Sequence, residues 1–182
     1  SYLLHHYIDM NNRDGYEKYV PPYFGGHDNV WEQFSYLKDM TEADQKLQSF
    51  KFALYVYIKA LYRFYVDELN SEKRRNLLSW IQNLHKGNKA EHVNGHPWEL
   101  IYKYFALLSI KFNKNELAEK FIQQTQTIVQ ERSTAIDNII YGGLIEYYNA
   151  IGEKELAEKT KKKFTNQQLY EKYMEVLVYM FI

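Results

Sequence analysis

The sequence contains no cysteine and little proline or glycine, with 3 Pro and 8 Gly among 182 residues. Without cysteine the chain has no disulfide framework, no thiolate zinc site, no iron–sulfur cluster and no cysteine nucleophile. It also lacks a net charge, because 23 Lys and Arg balance 23 Asp and Glu. This balance argues against a chain whose main task is to bind nucleic acid or an anionic membrane.

Long hydrophobic runs are absent as well. No apolar run approaches the roughly 18–20 residues that a membrane-spanning helix needs, and no signal-peptide pattern is visible, so we expect a cytoplasmic protein. Hydrophobic residues make up 46% of the chain, which is enough for a packed core and too many for a disordered chain. The length predicts a single helical domain over residues 1–182.

Tyrosine is unusually abundant, with 18 residues in the chain. A tyrosine side chain combines a rigid apolar body with a polar tip, which suits a binding surface. A bias in composition that raises Lys, Asn, Ile and Tyr together would instead place many tyrosines at the edges of the core. Both interpretations stay open at this point.

Residues 1–40 form the least regular segment. Breakers such as Pro21-Pro22 and Gly25-Gly26 interrupt it, and we expect one short helix at its start and another over residues 28–40, with Asp28 as the N-cap. This segment contains six acidic residues and three basic residues. We therefore expect it to carry an acidic patch.

Residues 41–96 predict a first helical hairpin and a loop. Thr41 with Asp44 three residues later resembles a capping box, and the apolar spacing that follows predicts one long helix over residues 42–69. Asn70-Ser71 would begin the second helix and Gly87 would end it. The apolar stripe of the long helix comprises Leu47, Phe50, Leu54, Tyr57, Leu61 and Phe64.

The remaining residues predict two further hairpins, over 97–133 and 134–165, and a C-terminal helix over 166–182. The helix that follows Pro97 is apolar nearly all round, which is typical of a central helix. The C-terminal helix is apolar on several sides, so we expect it to cap the stack or to form a homodimer surface. Gly142-Gly143 predicts either close helix packing or backbone left open to a ligand.

An internal repeat is the strongest pattern in the sequence. Segments 101–121 and 140–160 are identical at 7 of 21 positions with a fixed offset of 39. Both begin with Ile-Tyr, and both contain Glu-Leu-Ala-Glu-Lys, at 116–120 and 155–159. A pair of helices repeated at such a period is the mark of a helical solenoid.

These segments resemble the tetratricopeptide-repeat superfamily. Ala118 and Ala157 match the small residue near the start of the family's second helix, Ala106 matches the small position of the first helix, and Tyr148 matches an aromatic position. The period is longer than the family's usual length of about 34, Ile145 replaces a small residue, and the closing proline is missing. The resemblance implies an all-α fold of stacked antiparallel helical hairpins with a concave surface that binds a protein or a peptide.

Aromatic residues of the repeat segments are the candidates for that surface. Such side chains dominate many protein interfaces because they combine a large contact area with few rotatable bonds. The candidate partner-binding residues are Trp98, Tyr102, Tyr104, Tyr141, Tyr147 and Tyr148.

Catalytic and metal-binding patterns are weak. His92 and His96 are four residues apart, but the Gly and Pro around them place the pair in a loop, and no HExxH motif is present. No nucleophile elbow or phosphate-binding loop occurs either. The basic residues at 159–163 are expected to end a helix, where cations are favourable without a partner. We expect no catalytic residues, no metal and no cofactor.

Three functional hypotheses follow. The first is a non-catalytic protein-binding module, and its narrower form is a bacterial immunity or inhibitor protein that masks its partner through the acidic patch of residues 1–40. The second is a helical-repeat sensor of a peptide or a small molecule. The third is an enzyme with an unrecognised site. None of them requires nucleic acid or a membrane.

Overall fold

The computed structural model describes residues 2–87, 97–130 and 145–162. Their regular structure is entirely helical, which confirms the all-α class for this part of the chain. The chain divides into two compact units, and the single domain stays a prediction. Residues 2–87 belong to the first, and residues 97–130 and 145–162 belong to the second.

The first unit begins with the short helix that the sequence predicts. A second helix then forms within the segment that the sequence predicts to be irregular. The Asn12 side chain caps its start by accepting a hydrogen bond from the N–H of Gly15 at 2.9 Å. The helical elements of this unit are α1 (Tyr2–Asp9), α2 (Arg13–Tyr19), a 3-10 turn (Pro21–Phe24), α3 (Val30–Lys38), α4 (Glu42–Gln45), α5 (Gln48–Ala60) and α6 (Ser71–Gly87).

Helix α3 starts later than the sequence predicts. Its N-cap is Asn29 and not Asp28, because the Asn29 side-chain oxygen accepts hydrogen bonds from the N–H groups of Trp31 and Glu32, at 2.8 and 3.2 Å. The hydroxyl of Tyr57 on α5 donates to the carbonyl of Val30 at 2.8 Å. This bond fixes the start of α3 against the core of the first unit.

The prediction of one helix over residues 42–69 is wrong. Thr41 caps α4 as expected, accepting from the N–H of Asp44 at 3.1 Å. The chain then becomes extended at Leu47, whose side chain is 54% exposed. Beyond α5 it continues as a π-helix (Leu61–Tyr65), which is wider than an α-helix, and then as a 3-10 turn (Val66–Glu68), which is tighter. The predicted apolar stripe is buried from Phe50 to Leu61 only. Beyond Leu61 the buried side chains include Tyr65 and Val66, and Phe64 is partly exposed, since a π-helix has a wider turn than an α-helix.

The second unit is built on a largely buried helix. Its elements are α7 (Trp98–Lys111), α8 (Asn115–Gln130), α9 (residues 145–150) and α10 (Lys154–Lys162). Eleven of the 14 residues of α7 are buried, which confirms its prediction as a central helix. Helix α8 packs against it, with the ring of Phe121 at 6.0 Å from Tyr102 and 5.5 Å from Phe105.

The two repeat segments contain turns with the same hydrogen bonds. Asn113 and Gly152, 39 positions apart, both adopt a left-handed conformation, with φ of 60° and 79°. In each turn the next residue donates to a carbonyl five positions earlier, from Lys114 at 2.8 Å and from Glu153 at 2.9 Å. The stacking of these hairpins into a solenoid stays a prediction. The expected C-terminal helix over 166–182 lies outside the described residues.

Candidate functional site

An open groove of about 620 Å³ lies on the first unit. We call it the acidic groove. Its lining comes from one face of α3, the loop before α3 and the short helix α4. The lining residues are His27, Glu32, Ser35, Tyr36, Asp39, Met40 and Asp44.

The helical period places four of these residues together. Positions 32, 35, 36 and 39 follow the i, i+3, i+4, i+7 spacing that defines one side of a helix. The opposite side of α3 is buried through Gln33, Phe34 and Leu37, and the Phe34 ring packs edge-on against Trp80 of α6, with 5.1 Å between centroids. Burial of one side therefore turns the polar side of α3 toward the groove.

His27 is held at the edge of the acidic groove by its backbone. The buried amide of Gln33 donates to the His27 carbonyl at 2.8 Å, and the His27 N–H donates to the Phe24 carbonyl at 3.1 Å. The imidazole of His27 lines the groove. Its Nδ1 atom lies 3.6 Å from an Oε atom of Glu32, and its ring centroid lies 6.1 Å from that of Tyr36.

Tyr36 supplies an aromatic wall. Its ring meets Phe24 edge-on, with centroids 6.5 Å apart, and it lies against the backbone of Gly25, where φ is 64°. The side chain is partly exposed. The remaining ring surface can accept a cation, which is attracted to the negative face of an aromatic ring.

The three carboxylates of the acidic groove have no lysine or arginine within 4 Å among the described residues. Glu32 faces only the imidazole of His27, and Asp44 accepts a hydrogen bond from the hydroxyl of Thr41 at 2.9 Å. Residues 28–44 hold five acidic side chains and one lysine. The groove is therefore a region of uncompensated negative charge.

Asp39 lies where its charge is locally unfavourable. It is the C-cap of α3, at the end where the helix carries a partial negative charge. A carboxylate at this end lowers helix stability, whereas Glu32 in the first turn raises it. At this position Asp39 adds to the negative charge of the groove without stabilising α3.

A second polar cluster in the first unit is satisfied internally. Arg13 pairs with Glu17 at 2.8 Å and with Glu68, donates to the Phe64 carbonyl at 3.3 Å, and lies over the ring of Tyr65 at 4.4 Å from its centroid. The hydrogen bond from Arg13 holds the pKa of Glu17 below its ordinary value, and a further hydrogen bond from the Tyr65 hydroxyl acts in the same direction. This cluster ties α2 to the π-helix and to the 3-10 turn that follows it, and Arg13 is the common partner of both carboxylates.

The structure places the predicted aromatic residues mostly in the core. Trp98, Tyr102, Tyr104 and Tyr147 are each at most 4% exposed, so they have almost no surface to offer a partner. Tyr148 is partly buried and packs against the small cluster of α9 and α10. Tyr141 lies outside the described residues, as do Gly142-Gly143 and the pair His92 and His96.

Sequence reasoning placed negative charge in residues 1–40 but did not identify the groove. The spacing of Glu32, Tyr36 and Asp39 places them on one side of α3, opposite the apolar stripe, but the solvated side of an ordinary amphipathic helix has the same pattern. Within the described residues, no group of His, Asp or Glu side chains is arranged to hold a metal ion. No helix in the same residues is long and apolar enough to span a membrane.

Comparisons with known proteins find no relative of this chain. No protein-family model, no curated protein and no solved structure matches the chain. The function must therefore be inferred from the chain's own residues, and the acidic groove is the feature that offers most chemistry.

Proposed function

We propose that this chain is a non-catalytic protein-binding module whose acidic groove holds a basic surface of another protein. One observation carries the proposal. Glu32, Asp39 and Asp44 line the same open groove without a lysine or arginine partner among the described residues, beside the exposed part of the Tyr36 ring. Such an arrangement attracts lysine or arginine side chains by charge and through the aromatic face.

The openness of the acidic groove favours a protein over a small molecule. Sites for small ligands enclose most of the ligand surface and are mainly apolar. Here Glu32, Asp39 and Asp44 are all exposed, and the lining is rich in charge. A protruding basic loop or helix of a partner can enter the groove while its remainder stays on the rim.

The narrower role we propose is masking, as in an immunity or inhibitor protein. Complementary charge accelerates association more than it raises affinity at equilibrium. Fast capture suits a protein that must cover a harmful basic site before that site acts. The acidic groove supplies the required negative charge, and the chain as a whole remains neutral, which limits non-specific attraction to other cations.

Affinity capture with matched variants tests the proposal. The groove variant carries E32Q, D39N and D44N, and the control variant carries D67N, E119Q and E153Q, three exposed acids outside the groove. Each variant removes three charges, and Asn at position 44 keeps an oxygen that can accept from Thr41. We expect the unmodified chain and the control to retain the same basic protein from lysate and the groove variant to lose it.

Salt dependence distinguishes the proposed contact from apolar adhesion. Retention of the captured protein should fall steeply between low and high salt, because exposed charges are screened over about 8–10 Å at physiological ionic strength. Equal retention by the groove variant and the unmodified chain would overturn the proposal. Capture of an acidic protein by all three chains would overturn it too.

A further inference from the structure

We propose that His27 makes the acidic groove sensitive to pH, so that protonation of its imidazole weakens the binding of a basic partner. This inference rests on the proposed function, since it concerns the regulation of the same site. Histidine is the side chain that ordinarily changes its charge between about pH 5 and 8. When the imidazole gains a proton, it adds a positive charge to the site that has to attract the positive charge of the partner.

The surroundings of His27 are acidic on each element that lines the groove with it. Helix α3 presents Glu32, with 3.6 Å between the imidazole Nδ1 and the carboxylate, and its C-terminal end presents Asp39. Helix α4 presents Asp44. Among the described residues, the only other titratable lining group is the phenol of Tyr36, whose ring lies 6.1 Å from the imidazole, and no lysine or arginine lines the groove.

Protonation of His27 affects the binding of a basic side chain in two ways. The imidazolium cancels one of the three negative charges of the lining. It also forms an ion pair with Glu32 at the existing separation, which occupies a carboxylate that a partner's cation would otherwise use. Both effects lower the affinity for a basic side chain.

The backbone around His27 allows this change without a rearrangement of the fold. Its carbonyl accepts from the buried Gln33 amide, and its N–H donates to the Phe24 carbonyl. The side chain is 45% exposed and lies outside the core. Addition of a proton therefore alters the potential of the groove, while α3 and the preceding turn stay in place.

Titration with acetylated hexa-arginine amide tests the inference. The charge of this probe is constant between pH 5.5 and 7.5, because arginine stays protonated far above this range. We expect the dissociation constant of the unmodified chain, measured from amide resonance shifts, to rise about fivefold from pH 7.5 to 5.5, the effect of about one unit charge near the probe. The H27Q variant should bind with almost no pH dependence.

A second histidine variant provides the control. His6 lies on α1, outside the lining of the groove, so H6Q should keep the pH dependence of the unmodified chain. The same pH dependence in H27Q and the unmodified chain would overturn the inference, as would a flat profile of the unmodified chain. Failure of the proposed function has a different signature, namely equal binding of the probe at pH 7.5 by the groove variant and the unmodified chain, or no binding by either.

Discussion

The ring of Tyr36 lies against Gly25 so closely that no side chain fits between them. A Cβ atom built on Gly25 would lie 2.8 Å from Cε2 of Tyr36. The neighbouring Gly26 also has a positive φ, of 86°, but nothing lies within 4 Å of its Cβ position. Gly25 therefore allows both the left-handed backbone of the turn and the close approach of the Tyr36 ring, whereas Gly26 allows only the left-handed backbone.

Substitution of these two glycines separates the two roles. Gly26→Ala should cost about 1–2 kcal/mol of unfolding free energy, the strain of a left-handed residue with a Cβ. Gly25→Ala should cost about 1 kcal/mol more, because the Tyr36 ring must also move. Chemical denaturation measures both, and hexa-arginine binding should weaken only for Gly25→Ala. Equal stability and equal binding of the two variants would contradict the role of Gly25 as the seat of Tyr36.

Two buried tyrosines should respond in opposite ways to loss of their hydroxyl groups. Tyr57 donates to the Val30 carbonyl at 2.8 Å, whereas the hydroxyl of Tyr16 has no hydrogen-bond partner among the described residues. We expect Tyr57→Phe to lower the unfolding free energy by about 0.5–1.5 kcal/mol. Tyr16→Phe should leave it unchanged or raise it by about 1 kcal/mol, because an unsatisfied polar group leaves the core. Denaturant unfolding of both variants checks this pair, and a clear loss of stability in Tyr16→Phe would contradict it.

The cluster around Arg13 should give the first unit an acid-sensitive stability. The pKa of Glu17 is lower in the folded state than its ordinary value, mainly through the hydrogen bond from Arg13. Its contribution to stability is therefore present above the ordinary glutamate value of about 4.3 and is lost as the pH falls through the lower folded value. The stability difference between the unmodified chain and Glu17→Gln should shrink as the pH falls from about 6 toward 3. A difference that is constant over this range would contradict the pairing.

Burial should make the first unit sensitive to alkali as well. Desolvation raises the pKa values of Tyr16, Tyr57 and Tyr65 above the ordinary tyrosine value. Since the folded state then holds these protons more tightly than the unfolded state, stability is complete below about pH 10 and falls above it. Circular dichroism during an alkaline titration should show unfolding coupled to tyrosine ionisation. Ionisation of all the tyrosines near pH 10 with the fold intact would contradict the burial of these three.

The two acids of α3 should affect stability with opposite signs and binding with the same sign. At pH 7.5, Asp39→Asn should raise the unfolding free energy by about 0.3–1 kcal/mol, and Glu32→Gln should lower it by a similar amount, because their charges lie at opposite ends of the helix dipole. Each variant should weaken hexa-arginine binding. Denaturation and titration of the same samples check both effects. Unchanged binding in Asp39→Asn would remove the functional explanation for that carboxylate.

Local patterns predicted much of the fold. Apolar spacing located α1, α6, α7 and α8, and Asn113 ended α7 because asparagine tolerates the left-handed conformation found there. The same spacing wrongly predicted one continuous helix between residues 42 and 69. A stripe of constant period does not show where a helix is interrupted, and the two ends of this one are not in the core: Leu47 is exposed and Phe64 is only partly buried.

The site was harder to predict than the fold. The acidic side of α3 is indistinguishable in sequence from the solvated side of any amphipathic helix. What makes it a groove is the position of His27 and Asp44 beside it, and that depends on the turn at Gly25 and on the cap at Thr41. Three of the aromatic candidates, Trp98, Tyr102 and Tyr104, are buried for a related reason. Helix α7 is apolar on nearly every side, so its tyrosines fill the core of the second unit.

The most direct test of the account is to map where a cation binds. Acetylated hexa-arginine amide is added at pH 7.5, and the backbone amide resonances of the whole chain are followed. The account predicts shifts concentrated in residues 27–45 that persist in the control variant and vanish in the groove variant. Shifts spread over other acidic segments, or unchanged binding by the groove variant, would contradict the claim that the acidic groove is the binding site.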